Sequence, residues 1–242
     1  ISAAPGTSSS DVRVVGVPGG TENRLRIGRI HLKGLTLDQR NGWGMLTFNT
    51  VSPMLWLEDV VALGPGPQTN NTKPFHYPHW TSAVVTGASI RDYKDGCLGA
   101  QIARDVSIQN IGSDAYTNSM LVVNCSVDGI TGYAELDFHP DVYQFHGAWG
   151  HRENVIVYGL RAYNVWAQGI FANDLDSMKD IAFVNVLIER VVTPNAGPAD
   201  PLYSQWQVEP TDHLLLWHVT LVNQEFRWRE PNVRNVSVVG CA

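Results

Sequence analysis

The sequence has few cysteines, few positive charges and no long apolar run, and each shortage excludes a class of protein. Its three cysteines, Cys97, Cys125 and Cys241, are too few and too scattered for a disulfide framework or a zinc cluster. We expect all three to be buried thiols. No stretch approaches the roughly 20 consecutive apolar residues of a membrane span. Seventeen Lys and Arg against 23 Asp and Glu give a net charge of −6, which leaves no general phosphate-binding field. Neither nucleic acid nor a membrane is therefore an expected partner.

The residues that are present describe a folded chain rich in β-structure and turns. Of the 242 residues, 44% are apolar and 10% aromatic, which is enough for a substantial core. Twenty-two Gly and 13 Pro, with many Asn and Asp, separate short runs rich in Val and Ile. We expect one domain over residues 1–242, in which 1–23 are an irregular or capping segment and 24–242 form regular turns.

A seven-residue pattern recurs along the chain, with the last copy truncated. The nine copies are His31–Leu37, Trp56–Ala62, Val84–Ile90, Ile102–Ile108, Leu121–Val127, Ile156–Ala162, Ala182–Ile188, Leu215–Leu221 and Ser237–Ala242. The copies lie on average about 26 residues apart, and none shows the 3.6-residue period of a helix. The repeat is therefore a repeat of strands.

The fourth residue of each copy predicts a sharp corner. These pivots are Gly34, Asp59, Gly87, Asp105, Asn124, Gly159, Asn185, His218 and Gly240. All but the histidine are residue types that tolerate a left-handed backbone. The following residues alternate apolar and polar, as in a strand with one buried face. A β-sandwich has no reason to repeat one corner pattern, whereas stacked turns of a parallel β-helix require it.

This repeat resembles the right-handed parallel β-helix (pectin-lyase-like) superfamily over roughly residues 24–242. The resemblance implies an all-β solenoid of about eight to nine turns. The superfamily contains lyases, hydrolases, epimerases, phage tailspikes and adhesins, so the fold alone does not select a function.

Each turn should carry a second strand upstream of its corner. The candidates are Gly44–Asn49, Gly96–Gln101, Asp141–His146, Gly169–Asp174, Ser204–Glu209 and Glu225–Glu230. If the aromatic residues Tyr143, Phe145, Trp206, Phe226 and Trp228 point inward, and Ile170 and Ala172 with them, the alternate residues form one polar outer face. Amides, carboxylates, guanidinium groups and an aromatic ring suit a carbohydrate. The predicted substrate-binding residues are Gln144, Phe171, Asn173, Asp174, Gln205, Gln207, Glu209, Arg227 and Arg229. A solvated outer face is the alternative interpretation.

The densest polar cluster supplies the candidate catalytic residues Asp137, His139, Asp141 and His146. Its segment His139-Pro-Asp141-Val-Tyr-Gln144 resembles the His-x-Asp-x-x-Gln segments of β-helix proteins that act on polysaccharides. Two carboxylates beside two imidazoles supply an acid and a base near neutral pH. The alternative is that the aspartates cap turns around Pro140 and that the histidines bind backbone carbonyls.

The motifs of a polygalacturonase and the acidic calcium cluster of a pectate lyase are missing. We therefore predict no cofactor and no metal site, and we keep calcium as a possible cofactor only if the chain is a lyase. The first hypothesis is a secreted hydrolase or lyase of polysaccharides or oligosaccharides, working in a groove along the helix. The second is a non-catalytic β-helix of the tailspike, adhesin or structural type, which binds glycans or spaces other parts of a protein. A flat apolar outer face, or three chains packed side by side, would favour it. Under either hypothesis we expect a secreted or extracellular protein, or one on a virion surface, and a monomer, or a trimer if the chain is tailspike-like. Val61 and Leu187 are the only outward apolar residues noted.

Overall fold

All regular structure in the described part of the chain is β-strand. The computed structural model describes residues 13–15, 23–24, 29–40, 46–47, 54–67, 72–76, 82–131, 140–146, 153–166, 168–173, 178–191, 205–208, 211–228 and 233–242. Within these ranges no helix is long and apolar enough to cross a membrane.

The 25 strands of the described residues form three faces. The first face contains β3 (Arg29–Lys33), β6 (Met54–Glu58), β9 (Ser82–Thr86), β12 (Ile102–Arg104), β15 (Leu121–Val123), β18 (Glu153–Tyr158), β21 (Met178–Arg190), β23 (Thr211–Val222) and β25 (Arg234–Val239). The second face contains β1 (Arg13–Val15), β4 (Thr36–Asp38), β7 (Val61–Leu63), β10 (Ser89–Arg91), β13 (Ser107–Ile111), β16 (Ser126–Ile130), β19 (Arg161–Val165) and the second halves of β21 and β23. The third face contains β2 (Asn23–Arg24), β5 (Leu46–Thr47), β8 (Phe75–His76), β11 (Cys97–Leu98), β14 (Tyr116–Thr117), β17 (Asp141–His146), β20 (Gln168–Asn173), β22 (Gln205–Val208) and β24 (Glu225–Trp228).

Every strand pairs in parallel with the equivalent strand of a neighbouring turn. Trp56 of β6, for example, pairs with Val84 of β9, which pairs with Ile102 of β12. The chain is a parallel β-solenoid, and the predicted β-helix architecture is confirmed. The upstream strands were also predicted correctly, since each of the six candidate segments contains or overlaps a strand of the third face.

The corners lie where the repeat places them. All nine pivots have a left-handed backbone, with φ between 50° and 69°. His218, the pivot whose residue type does not favour this conformation, adopts it at φ 50°. At six of the corners, from Gly34 to Gly159, the backbone amide continues the ladder, as where Asp59 N–H donates to the Thr86 carbonyl at 2.9 Å. Residues of four different types thus adopt the same left-handed corner conformation.

The core is built from columns of equivalent apolar residues inside the solenoid. The residues that follow the first eight corners are all buried: Leu35, Val60, Ala88, Val106, Cys125, Leu160, Val186 and Val219. Cys97 and Cys125 are buried as expected, but Cys241 is exposed, so the prediction of a third buried thiol was wrong. The reason is local, because β25 pairs with β23 alone and no described strand packs beyond it.

Candidate functional site

The parallel register brings four of the predicted substrate-binding residues into one column of the third face. Gln144 pairs with Phe171, Phe171 with Gln207, and Gln207 with Arg227. Adjacent strands lie about 4.8 Å apart, so the column extends over about 15 Å. It is long enough to run beside several sugar units.

The interior of this face agrees with the predicted alternation, but its outer side differs. Tyr143, Phe145, Ile170 and Ala172 are buried as expected. Gln144 is half-buried. Phe171, which the alternation places outside, is 6% exposed. Its ring is therefore covered rather than open to a sugar.

The other predicted site residues stay predictions. Asp137, His139, Asp174, Glu209 and Arg229 lie outside the described residues. For His146, Asn173, Gln205, Gln207 and Arg227 the backbone is described but the side chain is not. The register nevertheless places His146 beside Asn173 on neighbouring strands.

Asp141 is fully buried, so the expectation that it lies on the exposed groove was wrong. The physical reason is the alternation itself, since Asp141 is two residues before Tyr143 and shares its inward side. Its backbone amide donates to Asp114 Oδ1 at 3.1 Å, and its carbonyl accepts from Ala115 N–H at 2.9 Å. Burial raises the pKa of the Asp141 carboxyl well above its usual range. A carboxyl in this position has no open path to a substrate outside the solenoid.

Asp141 is the last member of a column of three aspartates inside the turn before the third face. Cys97 pairs with Tyr116 and Tyr116 with Tyr143, which places Asp95, Asp114 and Asp141 at equivalent positions.

The column is largely shielded from water. Lys73 Nζ lies 3.9 Å from Asp95 Oδ2, and both side chains are nearly buried. Burial raises the pKa of Asp95, although the Lys73 charge opposes this. At Asp95 and Asp141, the two most buried members of the column, burial therefore favours the protonated carboxyl. No group of three or more His, Cys, Asp or Glu among the described residues is arranged to hold a metal ion.

The first face presents two outward columns that the sequence analysis did not single out as a surface. One column consists of His31, Trp56, Val84, Ile102, Leu121, Ile156, Ala182, Leu215 and Ser237. The other consists of Lys33, Glu58, Thr86, Arg104, Val123, Tyr158, Val184, Trp217 and Val239. Within these two columns, from β9 to β25, the polar residues are Thr86, Arg104 and Ser237, and the others are apolar. We call this surface the apolar face.

A polar cluster closes the apolar face at its β3 and β6 end. The His31 and Trp56 rings stack with centroids 4.2 Å apart. Glu58 joins them, because its Oε2 lies 2.9 Å from His31 Nε2 and its Oε1 accepts from Lys33 Nζ at 2.5 Å. The hydrogen bond from Lys33 lowers the pKa of Glu58, so this carboxylate stays ionised.

The second face differs sharply from the apolar face. The column of its first outward residues after the corner contains Ser89, Ser107 and Ser126 on three consecutive strands. Val61 and Leu187, the outward apolar residues named in the sequence analysis, belong to this column and are its apolar exceptions. Both are half-buried. The continuous apolar surface is on the other side of the corner. The signal was present in the first and third positions of the seven-residue repeat.

Comparison with known proteins adds no family to this description. No protein-family model, no curated protein and no solved structure matches the chain.

Proposed function

We propose that this chain is a non-catalytic, structural β-helix that acts through protein contact, with the apolar face as its contact surface. The observation that supports the proposal most directly is the composition of that face, where apolar side chains occupy 11 of the 14 positions of its two columns from β9 to β25. Ile156, Tyr158 and Trp217 are among the most exposed large apolar residues. A sheet with one buried face normally shows polar residues outside.

The size of the apolar face fits a contact surface. Seven strands about 4.8 Å apart, with two outward columns about 7 Å apart, cover about 400 Å² once side-chain width is included. Contiguous apolar patches of a few hundred Å² are the largest that ordinary monomers expose, and they often mark interaction sites. The second face shows that the same fold accommodates serines in an outward column.

The third face supports a second candidate function, the cleavage of a polysaccharide. The column of Gln144, Phe171, Gln207 and Arg227 is the specific observation in its favour. The burial of Asp141 and of Phe171 weighs against it. An acid and a base would have to come from residues whose side chains the structure does not describe, such as His146.

Two measurements test the structural role. First, incubation with a panel of neutral and uronic polysaccharides should release neither reducing ends nor the absorbance of unsaturated uronates. Reducing ends alone would indicate hydrolysis, both signals would indicate elimination, and either result would replace the structural role by the second candidate.

Second, a fluorescent apolar dye should bind at low protein concentration, and Leu121→Lys on the apolar face should remove much of its signal. Ser107→Lys, at an outward position of the second face, is the matched control and should leave the signal unchanged. Equal signals from all three proteins would contradict the choice of surface.

A further inference from the structure

The four strands β18, β21, β23 and β25 carry the most exposed part of the apolar face. Ile156 is 47% exposed, Tyr158 and Trp217 are each 43% exposed, and Val239 is 39% exposed. These strands are consecutive neighbours in the sheet. Whatever covers the apolar face should therefore fit this end of it first.

Larger and smaller side chains alternate from strand to strand across the four strands, in the same order in both outward columns. One outward column reads Ile156, Ala182, Leu215, Ser237, and the other reads Tyr158, Val184, Trp217, Val239. Reversing either column places every larger residue opposite a smaller one. A surface with this property is complementary in shape to its own copy.

The charges at the starts of the same strands follow the same rule. Glu153, Lys179, Asp212 and Arg234 are register partners, and their signs alternate from strand to strand. Glu153, Lys179 and Arg234 are exposed and Asp212 is half-buried. Reversing this row places a positive charge opposite every negative one. An order of two positive charges followed by two negative ones would also pair opposite charges after reversal, whereas four charges of one sign would not.

We propose that two copies of this chain pack these four strands face to face, about a two-fold axis that runs parallel to the strands between β21 and β23. The proposal rests on the proposed contact role of the apolar face. Such an axis keeps the position along each strand and reverses the order of strands, which is the operation that both patterns require. Two-fold contacts use the same patch on both copies, so self-complementarity is their defining property.

The pairing specifies individual contacts. Tyr158 lies opposite Val239 of the second copy, and Trp217 lies opposite Val184. At the margin, Glu153 lies opposite Arg234 of the second copy. Packed sheets in aligned sandwiches cross at about 30°, and a patch only four strands wide tolerates such a rotation.

The patch is small, so the dimer should be weak. Four strands and three outward columns give about 400 Å² per copy from strand spacing, which is about half the area per partner of a standard specific interface and within the range of weak, transient contacts. We expect a dissociation constant in the range of tens of micromolar.

Analytical ultracentrifugation of the 242-residue chain from about 5 to about 500 µM tests the association. We expect a reversible monomer–dimer equilibrium. Tyr158→Lys should weaken it at least tenfold, because a charge would face Val239. Tyr163→Lys is the matched control, since Tyr163 is an exposed tyrosine on the second face. A monomer at every concentration, a higher oligomer, or loss of the dimer only with Tyr163→Lys would overturn the proposal.

A charge exchange tests the two-fold geometry without altering the core. Glu153→Arg alone and Arg234→Glu alone should each weaken the dimer, because each opposes like charges. The double variant should restore it. Both residues are exposed, but Glu153→Arg places a positive charge beside Lys179 of the same chain and Arg234→Glu places a negative charge beside Asp212. Circular dichroism and urea unfolding of each variant therefore separate a loss of folding from a loss of the dimer. Failure of the double variant to recover would overturn the proposed axis. The polysaccharide and dye experiments do not depend on the dimer. They can therefore support the contact role of the apolar face even if the proposed pairing of two copies is wrong.

Discussion

Replacing the buried Asp141 by asparagine should remove a pH dependence from the stability of the solenoid. Asp141 is fully buried, and burial raises the pKa of its carboxyl well above the ordinary value of 3.8. The folded protein therefore holds a proton that the unfolded chain releases above about pH 4. Asparagine has nearly the same shape and stays neutral at every pH.

The sign and size of the effect follow from one proton. Between the ordinary pKa and the raised one, the folded state binds one more proton than the unfolded state. The free energy of unfolding therefore falls as pH rises, by up to about 1.4 kcal/mol per pH unit. The stability contributed by the protonated carboxyl is fully present below pH 3.8 and is lost as pH rises toward the raised pKa. Asp95 contributes in the same direction, because burial raises its pKa too.

Urea unfolding followed by tryptophan fluorescence between pH 4.5 and neutrality measures this slope. The free energy of unfolding of the native chain should fall with rising pH. In Asp141→Asn this fall should be smaller, by up to about 1.4 kcal/mol per pH unit. Asp105→Asn is the control, since Asp105 is an exposed carboxylate at a corner where asparagine also occurs in other turns. An unchanged slope in Asp141→Asn would refute the reasoning. Turnover of a polysaccharide that Asp141→Asn abolishes, with the slope unchanged, would return this residue to a catalytic role.

Three further predictions concern the corners and the core. Gly87→Ala should destabilise the fold by at least 1–2 kcal/mol, roughly the cost of a left-handed alanine, because Gly87 has φ 61° and an added Cβ would lie 2.3 Å from Asp59 Oδ1. Urea unfolding should show a smaller loss when Asp59→Gly is also present, and an equal loss would contradict the contact. Tyr143→Phe should cost about 1 kcal/mol of unfolding free energy, because its hydroxyl donates to the buried Ser119 carbonyl. A thiol reagent should label one cysteine of the native chain, Cys241, and label three only after unfolding.

The fold was predictable because the repeat encodes it twice. The pivots specify the corners, and the alternation around them specifies the inward columns, so two independent patterns lead to one architecture. His218 shows that the position matters more than the residue type, since it adopts the left-handed backbone that Gly87 and Asn124 adopt in other turns. Parallel stacking then follows, because equivalent residues of successive turns must lie above one another.

The candidate site was less predictable, and Asp141 explains why. Asp141 was predicted to be catalytic because it is an acidic residue in a dense polar segment. It lies two residues before the inward Tyr143, however, so strand alternation already predicted that it points inward. The covering of Phe171 could not be read from alternation, which distinguishes inward from outward but not exposed from covered. Alternation describes a single sheet, whereas burial on the outside depends on what packs over that sheet.

The apolar face shows what separates fold information from surface information in a solenoid. Inward residues such as Val157 and Phe183 fix the stacking, while the outward neighbours Ile156 and Tyr158 contribute little to it and are free to be polar. The second face uses this freedom, since Ser107 and its neighbours are hydrophilic at outward positions. An exposed valine, isoleucine or tryptophan loses favourable burial energy of the order of 1.5–3 kcal/mol that a covering surface would recover. A whole column of such residues on one face, beside serines on the next, is therefore best explained by a partner that covers it, and the alternation of size and charge makes the chain's own copy the partner that fits.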